Sequence, residues 1–160
     1  PGRHVFPTRR SSDLDVDALR PAVIQASSGT KVRVLLPHAG EFRRLSGRGA
    51  SVAAARVYAR RTKTIVVLKG PLTCVTDGLR LIHVPFGGPV LARGGSGDLL
   101  AGIVASVLSR RQELGLTPFD AVVLAATWHA RAADWLRETH GEEAVRTTDL
   151  LAGLSPVLRS

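Results

Sequence analysis

The feature that most constrains the fold is a continuous apolar run at residues 64–68, which read TIVVL. A strand that faces water on one side alternates apolar and polar residues. An unbroken apolar run is typical of a strand buried on both faces of a parallel sheet. Helices must then cover both faces. The chain has 160 residues, of which 44% are apolar, so it can build one such core and is not disordered as a whole.

The remaining pattern predicts alternating strands and helices, and therefore an α/β class in one domain. No apolar run approaches the roughly 18 residues of a membrane helix, so we expect no membrane association. Asp77-Gly78 predicts a two-residue hairpin turn, and residues 86–97 are too rich in glycine to predict regular structure. The expected strands are 31–36, 64–68, 73–76 and 79–84, and the expected helices are 51–61, one over Leu99–Leu108, one from Thr117-Pro118 to about Gly141, and a last one from about Thr148.

The first fourteen residues are predicted to be non-native. Residues 6–14 read FPTRRSSDL, which equals one reading frame of a common sequencing-library adapter. Segments of this origin do not belong in an argument about the fold. We therefore expect the native domain to occupy residues 15–160.

The formal net charge of +9 raises the question of nucleic-acid binding. The basic residues are scattered along the chain, however, and Phe, Trp and Tyr together make up only 4% of it, so no aromatic platform accompanies them. A solvated arginine-rich surface explains the charge, and we predict no nucleic-acid partner. The single cysteine, Cys74, cannot form an internal disulfide. We expect it to be a small core residue in a cytoplasmic protein.

The strongest signal for chemistry is Arg93-Gly-Gly-Ser-Gly-Asp98, placed directly before the apolar helix. The backbone amides of Gly94, Gly95, Ser96 and Gly97 can converge on a phosphate at a helix N-terminus. A carboxylate at Asp98 could then accept the proton of a substrate hydroxyl. The alternative is that Asp98 only caps the helix and the glycines form a flexible loop.

Two further segments follow predicted strands. Lys69-Gly70-Pro71-Leu72-Thr73 ends the buried TIVVL strand, at the sheet edge where open α/β folds bind ligands. The segment is either a contact to nucleotide phosphates or an ordinary turn after a strand. His38 follows the first strand within PHAGEF and is either a ligand contact or a loop residue.

His83, His129 and His140 lack zinc-ligand spacing, so we predict no metal site built from side chains. We expect His129 to be a packed helix residue. Asp15 and Asp17 remain open between a role in holding a metal-nucleotide complex and plain loop positions.

Taken together, PHAGEF, VVLKGPLT, the hairpin and ARGGSGDLLAGIVASVL resemble the ADP/ATP-dependent NAD(P)H-hydrate dehydratases of the ribokinase-like superfamily. LDVDAL at residues 14–19 resembles the LDADAL strand end of the same family. The resemblance implies a three-layer α/β/α sandwich, of which this chain is expected to be the carboxyl-terminal half, because family members are much longer. The family usually has TPHPGE where this chain has LPHAGE.

The resemblance also implies an activity and roles for residues. Such enzymes phosphorylate the hydroxyl of a hydrated nicotinamide ring with ADP or ATP, and loss of phosphate restores NADH or NADPH. Asp98 would be the base and contact the substrate, and His38 would contact the hydrated dinucleotide. The nucleotide would be held by Gly97 and by Lys69, Gly70, Pro71, Leu72 and Thr73, with Mg²⁺ on its phosphates. A homo-oligomer is expected for the full-length protein. A ribokinase-like small-molecule kinase and a non-catalytic nucleotide-binding fragment are the alternatives.

Overall fold

The computed structural model describes residues 22–25 and 31–158. The predicted non-native segment, the LDVDAL strand end, Asp15 and Asp17 lie outside the described residues. Five strands and five α-helices follow one another in the described part: β1 Ala22–Gln25, β2 Lys31–Leu35, α1 Ala39–Ser46, α2 Val52–Thr62, β3 Ile65–Leu68, β4 Thr73–Thr76, β5 Leu81–Val84, α3 Ser96–Ser109, α4 Pro118–His140 and α5 Leu150–Val157. Short 3₁₀ helices span Gly88–Ala92, Glu142–Ala144 and Thr147–Asp149.

The strands form one sheet in the order β1-β2-β3-β4-β5. Among the described strands, only β2 and β3 pair in parallel, with Val34 opposite Ile65, whereas the other neighbours are antiparallel. The sheet is therefore mixed around a central parallel pair. Both strands of that pair end at the same edge, which brings the segments that follow them together.

Helices cover both faces, as the apolar run at β3 predicts, since all four of its residues are buried. On one face α3 and α4 bury Val104 and Val122 against Val67 and Val75 of the sheet. On the other face α1 and α2 pack Phe42 and other residues against the sheet. Burial of each such side chain contributes about 1.5–3 kcal/mol of transfer free energy. The expected three-layer α/β/α arrangement is confirmed.

Local signals set the helix ends. Ser51 caps α2 by accepting the amide of Ala54, and Thr117 caps α4 by accepting the amide of Asp120. Pro118 occupies the first turn of α4, where its missing N–H costs nothing, and Gly141 follows its last residue. The helices predicted at 51–61 and from Thr117-Pro118 to Gly141 are therefore confirmed.

The structure corrects three expectations. The β4–β5 hairpin turn has four residues, because Thr76 pairs with Leu81 and Asp77 Oδ1 accepts the amides of Leu79 and Arg80. The glycine-rich segment is regular at both ends, with a 3₁₀ helix over Gly88–Ala92 and α3 beginning at Ser96. The last helix begins at Leu150, after a 3₁₀ turn, and not at Thr148.

Cys74 is the core residue that the sequence predicts. It is buried in β4, and burial raises the pKa of its thiol, against a smaller opposite effect of a hydrogen bond with the Leu68 backbone. Within the residues described, no helix combines the length and the apolar character needed to cross a bilayer.

Candidate functional site

The parallel pair β2 and β3 delivers two of the predicted residues to one edge of the sheet. Past the ends of the strands, His38 and Lys69 continue the parallel pairing as an isolated bridge. The amide of Lys69 donates to the carbonyl of Pro37 at 2.9 Å. The segments PHAGEF and KGPLT, distant in sequence, therefore lie side by side at the carboxyl end of the sheet.

His38 has a structural task at that edge. Its Nδ1 accepts the amides of Gly40 and Glu41 at the start of α1, at 3.0 and 3.3 Å. The carboxylate of Glu41 in turn accepts the amide of His38 at 2.7 Å, which completes a capping box. Because Nδ1 is an acceptor, the ring proton lies on Nε2, which is 3.4 Å from Glu41 Oε1. His38 is exposed and presents a ring of fixed orientation.

Lys69 joins this edge to the glycine-rich segment. Its Nζ lies 4.0 Å from Glu41 Oε2. On its other side, Nζ comes so close to Gly97 that a Cβ there would stand 2.8 Å away. The ammonium is therefore held between a carboxylate at the start of α1 and the first turn of α3.

The start of α3 presents Asp98 to solvent. Gly95 adopts φ +85° as the N-cap, a left-handed conformation that favours glycine, and its carbonyl accepts the amide of Asp98 at 3.1 Å. Asp98 lies in the first turn and is exposed, whereas Ser96 is buried. The alternative in which Asp98 only caps the helix is not what the structure shows, because Gly95 occupies the N-cap position and no side chain bonds there.

A long-range clamp fixes the glycine-rich segment. The guanidinium of Arg93 donates to the carbonyls of Val145 and Glu142, and the Thr147 hydroxyl donates to the carbonyl of Gly94 at 2.8 Å. These partners lie about fifty residues further along the chain, in the turns between α4 and α5. The segment is thus anchored to the body of the fold and is not the flexible loop of the alternative interpretation.

A cavity of about 800 Å³ opens where these elements meet. Nearly all predicted site residues line it: His38, Lys69, Gly70, Pro71, Thr73, Gly94, Gly95, Ser96, Gly97 and Asp98. Leu72 is the exception, since it is about half exposed and lies outside the cavity lining. Apolar side chains, among them Leu91 and Ala126, complete the wall.

His129 lines this cavity, although its sequence position predicted only packing in a helix. It is packed in α4 as predicted, but it also lines the cavity, with Nε2 3.5 Å from the Ser96 hydroxyl. Burial, and then the charge of Lys69, lowers the pKa of its imidazole to about 4. The ring is therefore neutral near pH 7. The available signal was the position of His129 near Ala126 and Ala130, which the periodicity predicts to lie on the apolar side of a helix.

The donor set of the cavity fits a phosphorylated ligand. Lys69, the positive end of the α3 dipole and glycines without side chains favour phosphate oxygens, and Asp98 offers a carboxylate beside them. No group of three or more His, Cys, Asp or Glu side chains in residues 22–25 and 31–158 could hold a metal ion.

Known proteins with similar sequences support one family. The pattern of the NAD(P)H-hydrate dehydratase family matches residues 3–155. A bifunctional NAD(P)H-hydrate repair enzyme from Gloeobacter violaceus is 42% identical over 129 residues, which are 78% of this chain and 25% of that enzyme. An ADP-dependent (S)-NAD(P)H-hydrate dehydratase from Cenarchaeum symbiosum is 33% identical over 80% of this chain and 45% of its own length.

Solved structures give the same result. The ADP/ATP-dependent NAD(P)H-hydrate dehydratase from Bacillus subtilis, co-crystallised with ATP and Mg²⁺ and soaked with CoA, superposes with a TM-score of 0.72 at 28% identity. The match covers 79% of this chain and 48% of that one. A ribokinase-like superfamily protein from Enterococcus faecalis superposes with a TM-score of 0.66 at 26% identity. The chain thus spans about a quarter to a half of the relatives that it matches.

Proposed function

Because this chain belongs to the NAD(P)H-hydrate dehydratase family, we propose that it takes part in the ADP- or ATP-dependent conversion of (S)-NAD(P)H-hydrate back to NADH or NADPH. Residues 15–160 form the carboxyl-terminal portion of such a domain in this proposal. The observation that carries it is the placement of Asp98, Gly97 and Lys69 around one cavity. A base, a phosphate cradle and a cation are there within reach of one another.

In this proposal the adenine nucleotide lies along KGPLT and the start of α3. Lys69 binds the phosphate chain, and the amides of Gly94–Gly97 contact the phosphoryl group that is transferred. Gly70, Pro71 and Thr73 line the same cavity and contact the rest of the nucleotide. Leu72 belongs to this set by resemblance, and we propose only a backbone contact for it because its side chain lies outside the cavity.

Asp98 and His38 face the hydrated dinucleotide in this proposal. Asp98 accepts the proton of the ring hydroxyl while the hydroxyl oxygen attacks the terminal phosphorus of ADP. The bond between that phosphorus and the bridging oxygen then breaks, and AMP leaves. The new phosphate ester then loses phosphate and a ring proton, which restores the carbon–carbon double bond. His38, with Nδ1 occupied by the α1 cap, offers Nε2–H as a hydrogen-bond donor to the substrate.

Mg²⁺ is expected to accompany the nucleotide, since its charge offsets that of the phosphates during transfer. Asp98 is the one carboxylate among the described residues that line the cavity. A homo-oligomer of the full-length protein, a cytoplasmic location and the lack of a nucleic-acid partner stay predictions.

The test combines binding with turnover. The chain is titrated with Mg·ADP by calorimetry, and reduced nicotinamide absorbance is followed after hydrated NADH, ADP and Mg²⁺ are mixed with it. Recovery of NADH that is lost in Asp98→Asn, while ADP still binds, would support the proposal. A stable phosphate ester would instead indicate a ribokinase-like small-molecule kinase, and ADP binding without turnover would indicate a nucleotide-binding fragment.

A further inference from the structure

Arg93 is a basic residue of the cavity lining whose charge has no carboxylate partner among the described residues. The residue is half-buried, lines the cavity and directly precedes Gly94. Its guanidinium bonds to two main-chain carbonyls, those of Val145 and Glu142. Over the described stretches of the chain, no carboxylate forms an ion pair with it.

The two carbonyls orient the guanidinium but cannot neutralise it. A guanidinium has five N–H donors, and the two carbonyls use one donor on each terminal nitrogen. Donors remain for a ligand, in a fixed plane that suits phosphate oxygens. Because the side chain is already anchored, a ligand would not have to pay for ordering it.

We propose that Arg93 is a second phosphate-binding side chain of this cavity, acting with Lys69 on the phosphate chain of the nucleotide. The inference rests on the proposed function and deepens it, since it predicts that affinity rises with the number of phosphates. Neither the pattern of glycines nor the TIVVL strand identifies this role. It follows from the contact between Arg93 and the turns after α4.

A purely structural role is the rival explanation. Arg93 and Thr147 both tie the glycine-rich segment to the turns after α4. Arg93 does so by donating to the carbonyl of Val145, and Thr147 by donating to the carbonyl of Gly94. If Arg93 were only a tether, its loss would resemble the loss of the Thr147 tether. Thr147→Val removes that hydroxyl bond without changing the charge of the cavity, so it is the matched control.

The experiment measures dissociation constants for Mg·ADP, AMP and inorganic tripolyphosphate by calorimetry, for the unaltered chain and for Arg93→Gln, Arg93→Lys and Thr147→Val. Loss of a charge-assisted bond is expected to weaken Mg·ADP and tripolyphosphate about tenfold or more in Arg93→Gln. AMP binding should change less than about threefold. Arg93→Lys should keep a preference for ADP over AMP. Thr147→Val loosens the same segment without removing a charge, so it should weaken Mg·ADP and tripolyphosphate clearly less than Arg93→Gln does.

Equal losses for ADP and AMP in Arg93→Gln, no loss, or a loss of ADP affinity no larger than that of Thr147→Val would overturn the inference. If Arg93→Gln does not fold, loss of the preference for ADP in Arg93→Lys would overturn it as well. Tripolyphosphate separates this inference from the proposed function. A chain that binds tripolyphosphate through Arg93 but has no affinity for ADP keeps the phosphate-binding role of Arg93 and loses the nucleotide assignment. A chain that binds neither loses both.

Discussion

The ammonium of Lys69 stands 2.8 Å from the point that a Cβ atom on Gly97 would occupy. This distance is shorter than Cβ contacts in folded proteins allow, so the lysine reaches the first turn of α3 only because residue 97 has no side chain. The contact joins the end of β3 to the start of α3. It links the two segments that the sequence predicts to bind the nucleotide.

Gly97→Ala is therefore expected to push the Lys69 ammonium out of place while leaving the fold intact, since the displaced atom is the end of a flexible side chain. We expect Mg·ADP affinity to fall about tenfold, as for one charge-assisted contact.

Calorimetry measures the ADP affinity of this variant, and urea unfolding measures its stability. The control is Gly102→Ala in the same helix, where a Cβ meets nothing within 4 Å. It should leave ADP affinity unchanged and add about 0.5–1 kcal/mol of stability. Equal ADP affinity in the two variants would contradict this account.

Lys69→Met should raise the pKa of His129. The charge of Lys69 is the second cause that lowers this pKa, after burial. Its removal therefore shifts the pKa upward from about 4 but leaves it below the ordinary 6.5. Titration of the imidazole by NMR measures the shift. Lys63→Met, at an exposed helix end, serves as the charge-matched control. A His129 pKa that is the same in both variants would show that Lys69 does not act on the ring.

His129 should also make the free energy of unfolding depend on pH. Its pKa is about 4 in the folded chain and 6.5 as the ordinary value. Between these values the unfolded chain binds a proton that the folded chain does not. Stability is then complete above pH 6.5 and falls as pH decreases toward 4, by on the order of 3 kcal/mol in full.

Urea unfolding at several pH values between 4 and 7 tests this slope. His129→Gln keeps a polar side chain near Ser96 but does not titrate, so its slope in this window should be flatter than that of the unaltered chain. Parallel slopes for the two proteins would mean that His129 is not the group that titrates.

Signals within a few residues of the sequence predicted most helices and strands. The length of the hairpin turn and part of the cavity lining depend on contacts that those signals do not contain. The apolar run of β3 and the cap at Thr117 act within a few residues, and the structure agrees with both. The prediction of a two-residue hairpin turn was wrong, because Asp77 accepts two amides beyond Gly78 and the turn is therefore longer. The Asp-Gly pair alone does not show which amides the carboxylate will accept.

The cavity shows the same division. Glycine spacing nominated Gly94–Asp98, and the strand end nominated Lys69, because both signals are local. His129 lacked such a signal, and Arg93 begins the same motif but received no role from the glycine spacing. His129 joins the cavity only because α4 packs across the start of α3, and Arg93 is fixed by carbonyls about fifty residues away. The place of such residues in the cavity can be predicted only when the positions of the helices relative to one another are known.

Gly153 offers a test of how tightly α5 packs on α4. The residue is buried, and a Cβ there would stand 2.9 Å from the carbonyl oxygen of Ala132 and 3.0 Å from Leu136 Cδ1. The first contact is with backbone, which cannot move aside without shifting a helix. Gly153→Ala is thus expected to cost about 1–3 kcal/mol, although Ala is the better helix former by about 1 kcal/mol.

Urea unfolding of Gly153→Ala and of Ala152→Gly, at the exposed neighbouring position, measures both effects. Ala152→Gly should lose about 1 kcal/mol from helix propensity alone. Because α5 follows directly on the turns that hold Arg93 and Gly94, we also expect Gly153→Ala to weaken Mg·ADP binding, by less than Gly97→Ala does. A Gly153→Ala chain that is more stable than the unaltered one would show that α4 and α5 accommodate the added Cβ. The clamp on the glycine-rich segment would then not depend on their close packing.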